Sequence, residues 1–422
     1  MSPENILNST VASRQQHVAG SRQSAVGCQQ SVVGSRQSAV SQTSVSGHPS
    51  SILSKHITVL VSNDLEHDQR VAKVCNTLLD FGFDITLVGR MLAHSNPIKR
   101  SYEVKRFRLM FSKGFLFYGA FNVRLFFFLL FKRTDIILAN DLDTLLPAFL
   151  ASRIRGKKLV YDSHEYFTEA EGLTGRTFQK RCWELIERWI FPKLKNVYTV
   201  NQSIAEIYLD KYKVKVGVVR NVPILGELPP LKSREELGLP DNKKIILLQG
   251  AFIDPDRGAR ETVEAMQFLE NTLLLIIGSG RDIGNVQKMV EDRNLGDCVW
   301  IKPKMPMDEL QQFTRNADLG LSLDKPVHLN YKFSLPNKLF DYIHAGVPVL
   351  ASRLPEIERV FLQFEIGMMV ENFSPEHLAE KISEALFSSE REKWKKNLEL
   401  AAREFNWQRE EELLRRIYAT TS

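Results

Sequence analysis

Lys338 and Asp341 stand three residues apart in SLPNKLFDYIHAGVPVLAS (334–352), where Pro336 and Asn337 open a helical period and Gly346 closes it. That spacing puts both side chains on one helix face. A cation in the first turn opposes the helix macrodipole, a misfit that a bound anion relieves. A carboxylate one turn later suits the two hydroxyls of a ribose, so one element can read phosphate and ribose together. A second segment, QGAFIDPDRGARETVEAM (249–266), runs from an apolar stretch through Gly250 to Arg257 and Gly258 at the head of a helical period. Helix starts offer unpaired N–H groups to phosphate, and a guanidinium adds a fork that grips a diphosphate. Taken alone, Arg257 reads more often as an ordinary surface arginine.

Other chemistry-bearing residues are weaker. His164 follows the apolar KLVYD (158–162), with Asp162 and Glu165 beside it, at a strand end where ligands gather. Asp141-Leu142-Asp143 and Asp254-Pro255-Asp256 each spell D-x-D, a spacing frequent by chance; the second reads better as part of a phosphate loop with Arg257. Gly278-Ser279-Gly280 is half of a dinucleotide fingerprint, with Ile283 where a third glycine belongs. Asp68 and Arg70 are placed to pair with each other at a helix start. The cysteines (Cys28, Cys75, Cys182, Cys298) show no paired spacing, which argues against a zinc site or a disulfide framework. No metal or other cofactor is expected.

These residues need elements to hold them. From Lys55 apolar runs alternate with helical periods: HITVLVS (56–62), DITLVG (84–89), DIILAN (135–140), KLVYD and NVYTVN (196–201). The Pro-rich RNVPILGELPPLKS (220–233) interrupts the pattern. It restarts with KIILLQG (244–250), TLLLIIGSG (272–280), CVWIK (298–302), DLGLSL (318–323) and VPVLAS (347–352). Alternating strands and helices predict an α/β chain with two successive doubly wound parallel sheets. Their ligand cleft lies at the carboxyl ends of the strands. A closing helical region, about Glu390 to Tyr418, is placed to bridge back to the first sheet.

Residues 1–54 are a different material. Ser, Gln, Val and Gly dominate, and a seven-residue unit recurs as SRQSAVG (from Ser21), CQQSVVG (from Cys28) and SRQSAVS (from Ser35). So few large apolar residues predict a disordered tail. The first 20 residues lack the apolar stretch of a signal peptide, and a cytoplasmic location is expected. The net charge of +6 is unevenly placed, basic over 55–222 and acidic over 223–422. A basic half suits an anionic surface such as a membrane leaflet or a phosphate-bearing acceptor, or is simply solvated. Phe115 to Phe131, interrupted by Asn122 and Arg124, reads as a core helix packed on a sheet or as an amphipathic helix lying on a bilayer, the former being commoner.

In their order and spacing, NDLEHDQRV (63–71), ANDLDTLLPA (139–148), VYDSHEY (160–166), QGAFIDPDRG (249–258), IIGSG (276–280) and LPNKLFDYIHAGVPV (335–349) resemble the group 1 (family 4) retaining GT-B glycosyltransferases over Lys55 to Tyr418. The resemblance implies the GT-B architecture of two Rossmann-like domains facing a cleft. An acceptor domain would span 55–222, a nucleotide-sugar donor domain 223–400, and a helix in 401–422 would return to the first. It implies transfer of a sugar from a nucleotide-diphosphate sugar to a saccharide or lipid-linked acceptor of the cell envelope, with no nucleic-acid partner. Arg257 and Lys338 would hold the diphosphate as leaving group. Asp341 would be a shortened form of the second Glu of the family's Glu-x7-Glu motif, binding ribose. Gly250, Gly258, Ser334, Pro336 and Asn337 would line the donor site, and Gly280 would let a base or ribose approach. His164 and Glu165 would face the donor sugar from the first domain, His164 being catalytic together with Arg257 and Lys338. Asn63, Asp68, Arg70, Asp141 and Glu165 would lie on the acceptor side. The motif's first Glu falls at Phe333, which cannot bind a sugar hydroxyl as a carboxylate does. Alternative readings are a nucleotide-sugar epimerase or a non-catalytic nucleotide-sugar binding protein on the same fold.

Overall fold

The computed structural model describes residues 54–419, apart from 67 and 94. The repeat-bearing tail, Ser54 excepted, lies outside the described residues. Seven parallel strands form the first sheet: β1 (His56–Leu60), β2 (Asp84–Met91), β3 (Glu103–Arg108), β4 (Ile136–Asn140), β5 (Lys158–Ser163), β6 (Asn196–Thr199) and β7 (Gly217–Val218). Six form the second: β8 (Lys244–Gly250), β9 (Thr272–Gly278), β10 (Val299–Lys302), β11 (Leu319–Ser322), β12 (Val349–Ser352) and β13 (Gly367–Val370). The spatial orders are 3-2-1-4-5-6-7 and 10-9-8-11-12-13. Both sheets therefore reverse direction of winding beside their first strand, between β1 and β4 and between β8 and β11. Crevices open at such switch points, outside the carboxyl ends of the strands.

The central strands are largely apolar because helices cover both faces of each sheet. β9 is buried at every position, and β8 at all but its ends. The edge strand β3 departs from the apolar pattern, and the edge strands β7 and β13 are short. β3 reads EVKRFR and is mostly solvent-facing, its charges guarding the sheet edge.

The segment 220–233 forms no helix or strand. The chain crosses back near residue 406. Helix Arg391–Glu404 packs on the second sheet's layer through Leu398 and Ala401. Helix Trp407–Ala419 packs on the first through Trp407, Leu414 and Tyr418. The indole Nε1 of Trp407 donates to Thr77 Oγ1 at 2.9 Å, which fixes the returning helix against helix Gln69–Asp80.

Candidate active site

Both switch points present polar side chains to the same place. In the second lobe, β11 carries the chain through Leu323 to Asp324, whose side chain is wholly buried. Two cations converge on one of its oxygens. Arg257 Nη1 donates to Asp324 Oδ1 at 2.9 Å and Lys338 Nζ to the same atom at 3.3 Å. Burial opposes ionisation of Asp324, but the charges of Lys338 and Arg257 and their hydrogen bonds prevail and hold its carboxyl below the ordinary range. Burial lowers the Lys338 ammonium, against the pull of Asp324. The Arg257 guanidinium also lies over the Tyr331 ring, 4.3 Å from its centroid. Arg257 Nε and Asp324 Oδ2 are buried with no hydrogen-bond partner. The arrangement holds two positive donors, 10–23% exposed, against a single buried carboxylate. An anion with several oxygens can bridge them.

One helical turn beyond Lys338, Asp341 Oδ2 accepts from Gln249 Nε2 at 3.1 Å. Gln249 ends the apolar run of β8 and is itself held by Thr314, whose hydroxyl donates to its Oε1 at 2.8 Å. Burial pushes the Asp341 carboxyl up to about 6, against the hydrogen bond from Gln249 and the charge of Lys73.

The first lobe contributes a histidine between carboxylates. His164 Nε2 lies 3.2 Å from Asp162 Oδ2 and 3.1 Å from Asn140 Oδ1, and Nδ1 lies 3.4 Å from Asp141 Oδ2. Burial disfavours its charge, yet Asp141 and Asp162 outweigh that and raise the ring to about 9. Both His164 nitrogens are thus engaged, and the flanking carboxylates favour its charged form. Asp141 has φ 59° and ψ 167°, a region nearly restricted to glycine. That backbone lets its Oδ1 accept from the His164 N–H at 2.8 Å.

Glu165 links the lobes. Its Oε2 accepts from Asn330 Nδ2 at 2.7 Å, while Asn330 Oδ1 accepts from the Tyr166 N–H at 3.1 Å. Asn330 precedes Tyr331, the residue under Arg257. Burial raises the Glu165 carboxyl, and the charges of His164 and Arg257 act against it from the two sides. The fold therefore brings together His164, Glu165 and Asp141 of one lobe with Arg257 and Lys338 of the other.

Other expected residues have different work. Arg70 does not pair with Asp68. It is buried under the histidine, making a bidentate bond to Asp162 at 2.8 and 3.0 Å and a third to the Val219 carbonyl. Asp68 caps helix Gln69–Asp80 through the Val71 N–H and accepts from Asn63 Nδ2 at 2.7 Å, so Asn63 and Asp68 brace their own loop. A Cβ on Gly280 would fall 2.2 Å from the Ile253 carbonyl oxygen. This glycine admits the neighbouring loop of its own chain rather than a base or ribose. Gly258, at φ 78°, likewise makes room for Leu323 and so sets Arg257 beside Asp324. Gly250 ends β8 with no close contact that demands a glycine. The Ser334 hydroxyl is bound to the Tyr331 carbonyl, Pro336 caps helix Asn337–Ala345, and Asn337 turns toward Asn221 of the linker. Phe333 packs into the first lobe's core, and its carbonyl accepts from Asn201 Nδ2 at 2.7 Å. It joins the lobes at the position where the family's motif places a carboxylate. Asp143 is 5% exposed and bound by Ser62, and so does not share an open site with Asp141. Among the described residues, no group of three or more His, Cys, Asp or Glu could hold a metal ion.

Asp324, Asn330, Tyr331 and Gln249 escaped the sequence reading. Two carried a usable signal: Gln249 is the first polar side chain after the apolar run of β8, and Asp324 the first charged one after that of β11.

Two parallel-sheet lobes joined at their switch points, with paired cations on one side and a histidine held between carboxylates on the other, define an enzyme of the GT-B type. Residues 231–400 match the family described as Glycosyl transferases group 1, and residues 69–223 match Glycosyltransferase Family 4. The chain belongs to the group 1 glycosyltransferases and is a glycosyltransferase. It is 27% identical over 300 residues to WcaI of Escherichia coli, named as a colanic acid biosynthesis glycosyl transferase, covering 65% of this chain and 72% of that one. The fold is shared with sucrose-phosphate synthase of Thermosynechococcus elongatus (TM-score 0.70, 18% identity, 87% of this chain and 98% of that one). It is also shared with Anabaena HepE in complex with UDP and glucose (TM-score 0.67, 13% identity, 87% and 100%).

Proposed function

We propose that this glycosyltransferase moves a sugar, with retention of configuration, from a nucleotide-diphosphate sugar to a saccharide or lipid-linked acceptor in polysaccharide synthesis. The observation that carries the reading is the convergence of Arg257 and Lys338 on one oxygen of Asp324 at the second lobe's switch point. The names of two similar proteins support it, one placed in colanic acid biosynthesis and one complexed with UDP and glucose.

In the proposed step the bond from the anomeric carbon to the diphosphate oxygen breaks, and a bond from that carbon to the acceptor oxygen forms on the same face. The acceptor's hydroxyl proton passes to the departing diphosphate. Charge separates between an oxocarbenium-like carbon and the diphosphate. Arg257 and Lys338 stabilise the anionic end from a partly dry site, where fixed donors act more strongly than in water. His164, held between carboxylates that favour its charged form, contributes to the electrostatic framing of the site. Closure of the lobes limits hydrolysis of the donor.

The test is a thermal-shift panel of nucleoside diphosphates, then transfer assays with the nucleotide that binds. A specific ligand at about 100 times its Kd adds about 2.7 kcal/mol of apparent stability. Stabilisation by none of them would sink the donor site. A donor altered without any acceptor would instead mark an epimerase.

The ribose role of Asp341 makes a pH prediction. The ionised carboxylate accepts hydroxyl protons, and its pKa lies near 6. Nucleotide affinity is expected to fall as pH drops through that value. Asp341→Asn is expected to weaken binding and abolish the dependence. Calorimetric titrations at about pH 5 and about pH 8 check both.

A further inference from the structure

The helix Gly114–Phe131 has two apolar sides, and the fold uses only one. Phe117, Phe121, Leu125 and Leu129, one turn apart, are buried in the first lobe's core. A second stripe, Leu116, Val123, Phe127 and Phe131, faces solvent, with Phe127 56% and Phe131 84% exposed. Surface stripes of large apolar residues mark interaction sites rather than ordinary surface. The stripe continues onto helix Thr177–Ile190. Phe115 and Phe178, both exposed, bring their ring centroids within 6.2 Å, and Tyr118 meets Trp183 at 5.4 Å. Beyond this junction the second helix exposes Leu185 and Trp189.

The charge around this face has one sign. Helix Gly114–Phe131 contains no acidic residue, and Lys113 and Arg133 flank its ends. On the second helix Arg181 and Arg188 are exposed among the apolar residues, and the Lys193 ammonium lies 4.7 Å from the Trp189 ring centroid. Of that helix's two acids, Glu187 is buried and bound to Lys211 and Tyr212, which leaves Glu184.

We propose that this composite face, helices Gly114–Phe131 and Thr177–Ile190 together, docks the enzyme on the surface of an anionic lipid bilayer. Aromatic side chains with arginine and lysine between them suit the headgroup region, where rings enter the acyl boundary and cations meet phosphate. An acidic protein partner would satisfy the charges but not so long a stripe of phenylalanines. The helix is long and apolar enough to cross a membrane. Crossing, however, would pull Phe121, Leu125 and Leu129, all fully buried, out of the core, so the helix lies on the bilayer and keeps its inner stripe packed. The inference does not depend on the donor site.

The experiment is co-sedimentation of the full chain with vesicles of phosphatidylcholine containing phosphatidylglycerol, against phosphatidylcholine alone, at low and raised salt. Binding is expected to be strong only with the anionic lipid and to weaken with salt. The Trp189 fluorescence is expected to shift to the blue on binding, and Trp189→Phe to remove that shift. Phe127→Ser with Phe131→Ser, and separately Arg181→Glu with Arg188→Glu, are each expected to lower partitioning about tenfold or more, with melting temperature unchanged. Equal binding to both vesicle types, or variants that partition like the parent, would overturn the proposal. So would concentration-dependent dimers in sedimentation equilibrium that the Phe127→Ser/Phe131→Ser variant abolishes, since a second copy would then cover this face.

Discussion

Lys338→Ala and Arg257→Ala are each expected to lower kcat/KM on the order of 10²–10³-fold, the usual effect of deleting one donor that stabilises developing negative charge. Folding should suffer far less from either change. Both cations share Asp324 Oδ1, so each single variant leaves the buried carboxylate with one charged partner. The double variant differs. It strands a wholly buried carboxylate whose second oxygen already lacks a partner. An unpaired buried charge costs about 3–5 kcal/mol. Urea denaturation of the two single variants and the double should therefore show a clear excess over additivity. Steady-state kinetics with varied donor checks the first part. Unchanged turnover in either single variant would remove that residue from the mechanism, and strict additivity in stability would separate the two cations from each other.

Arg70→Ala is expected to destabilise the protein by about 3–5 kcal/mol, because it breaks a buried bidentate pair and leaves buried Asp162 with His164 as its remaining charged partner. The effect has a pH signature. Burial raises the Asp162 carboxyl, but Arg70 and His164 outweigh it and hold the group below its ordinary 3.8. A depressed folded value contributes stability that is present above the unfolded value and lost as pH falls through the folded one. The gap between parent and variant should be full above pH 3.8 and narrow below it. Arg70→Lys keeps the charge but loses the fork, and should fall between the two. Denaturant midpoints across the acid range measure this. A gap that does not vary with pH would mean that packing, not the ion pair, sets the cost. Since Asp162 also holds His164, activity should fall with stability.

The α/β class and the two parallel sheets were legible because a strand covered on both faces must be apolar along its length. KIILLQG and TLLLIIGSG say so without reference to anything distant. The edge strands β3, β7 and β13 were not: β3 meets water and its composition is mixed, while β7 and β13 are only two and four residues long. In the site, the local signals were a cation in a first helical turn and an arginine before a glycine, and these singled out Lys338, Arg257 and Asp341. Misreadings arose where a side chain's partner lies far along the chain. Asp68 is two residues from Arg70, yet the guanidinium reaches Asp162, 92 residues on, because the fold sets the start of helix Gln69–Asp80 beside the end of β5. Gly280 looked like room for a ligand, but Ile253 occupies that room. Phe333 looked like a missing carboxylate, and it is a hydrophobic contact to the other lobe. Sequence by itself determined the elements, through backbone periodicity and the burial each period requires. Only the tertiary structure decided which charges meet. Electrostatic pairing depends on separations of a few ångströms between residues tens or hundreds of positions apart, and those separations exist only once both sheets have packed.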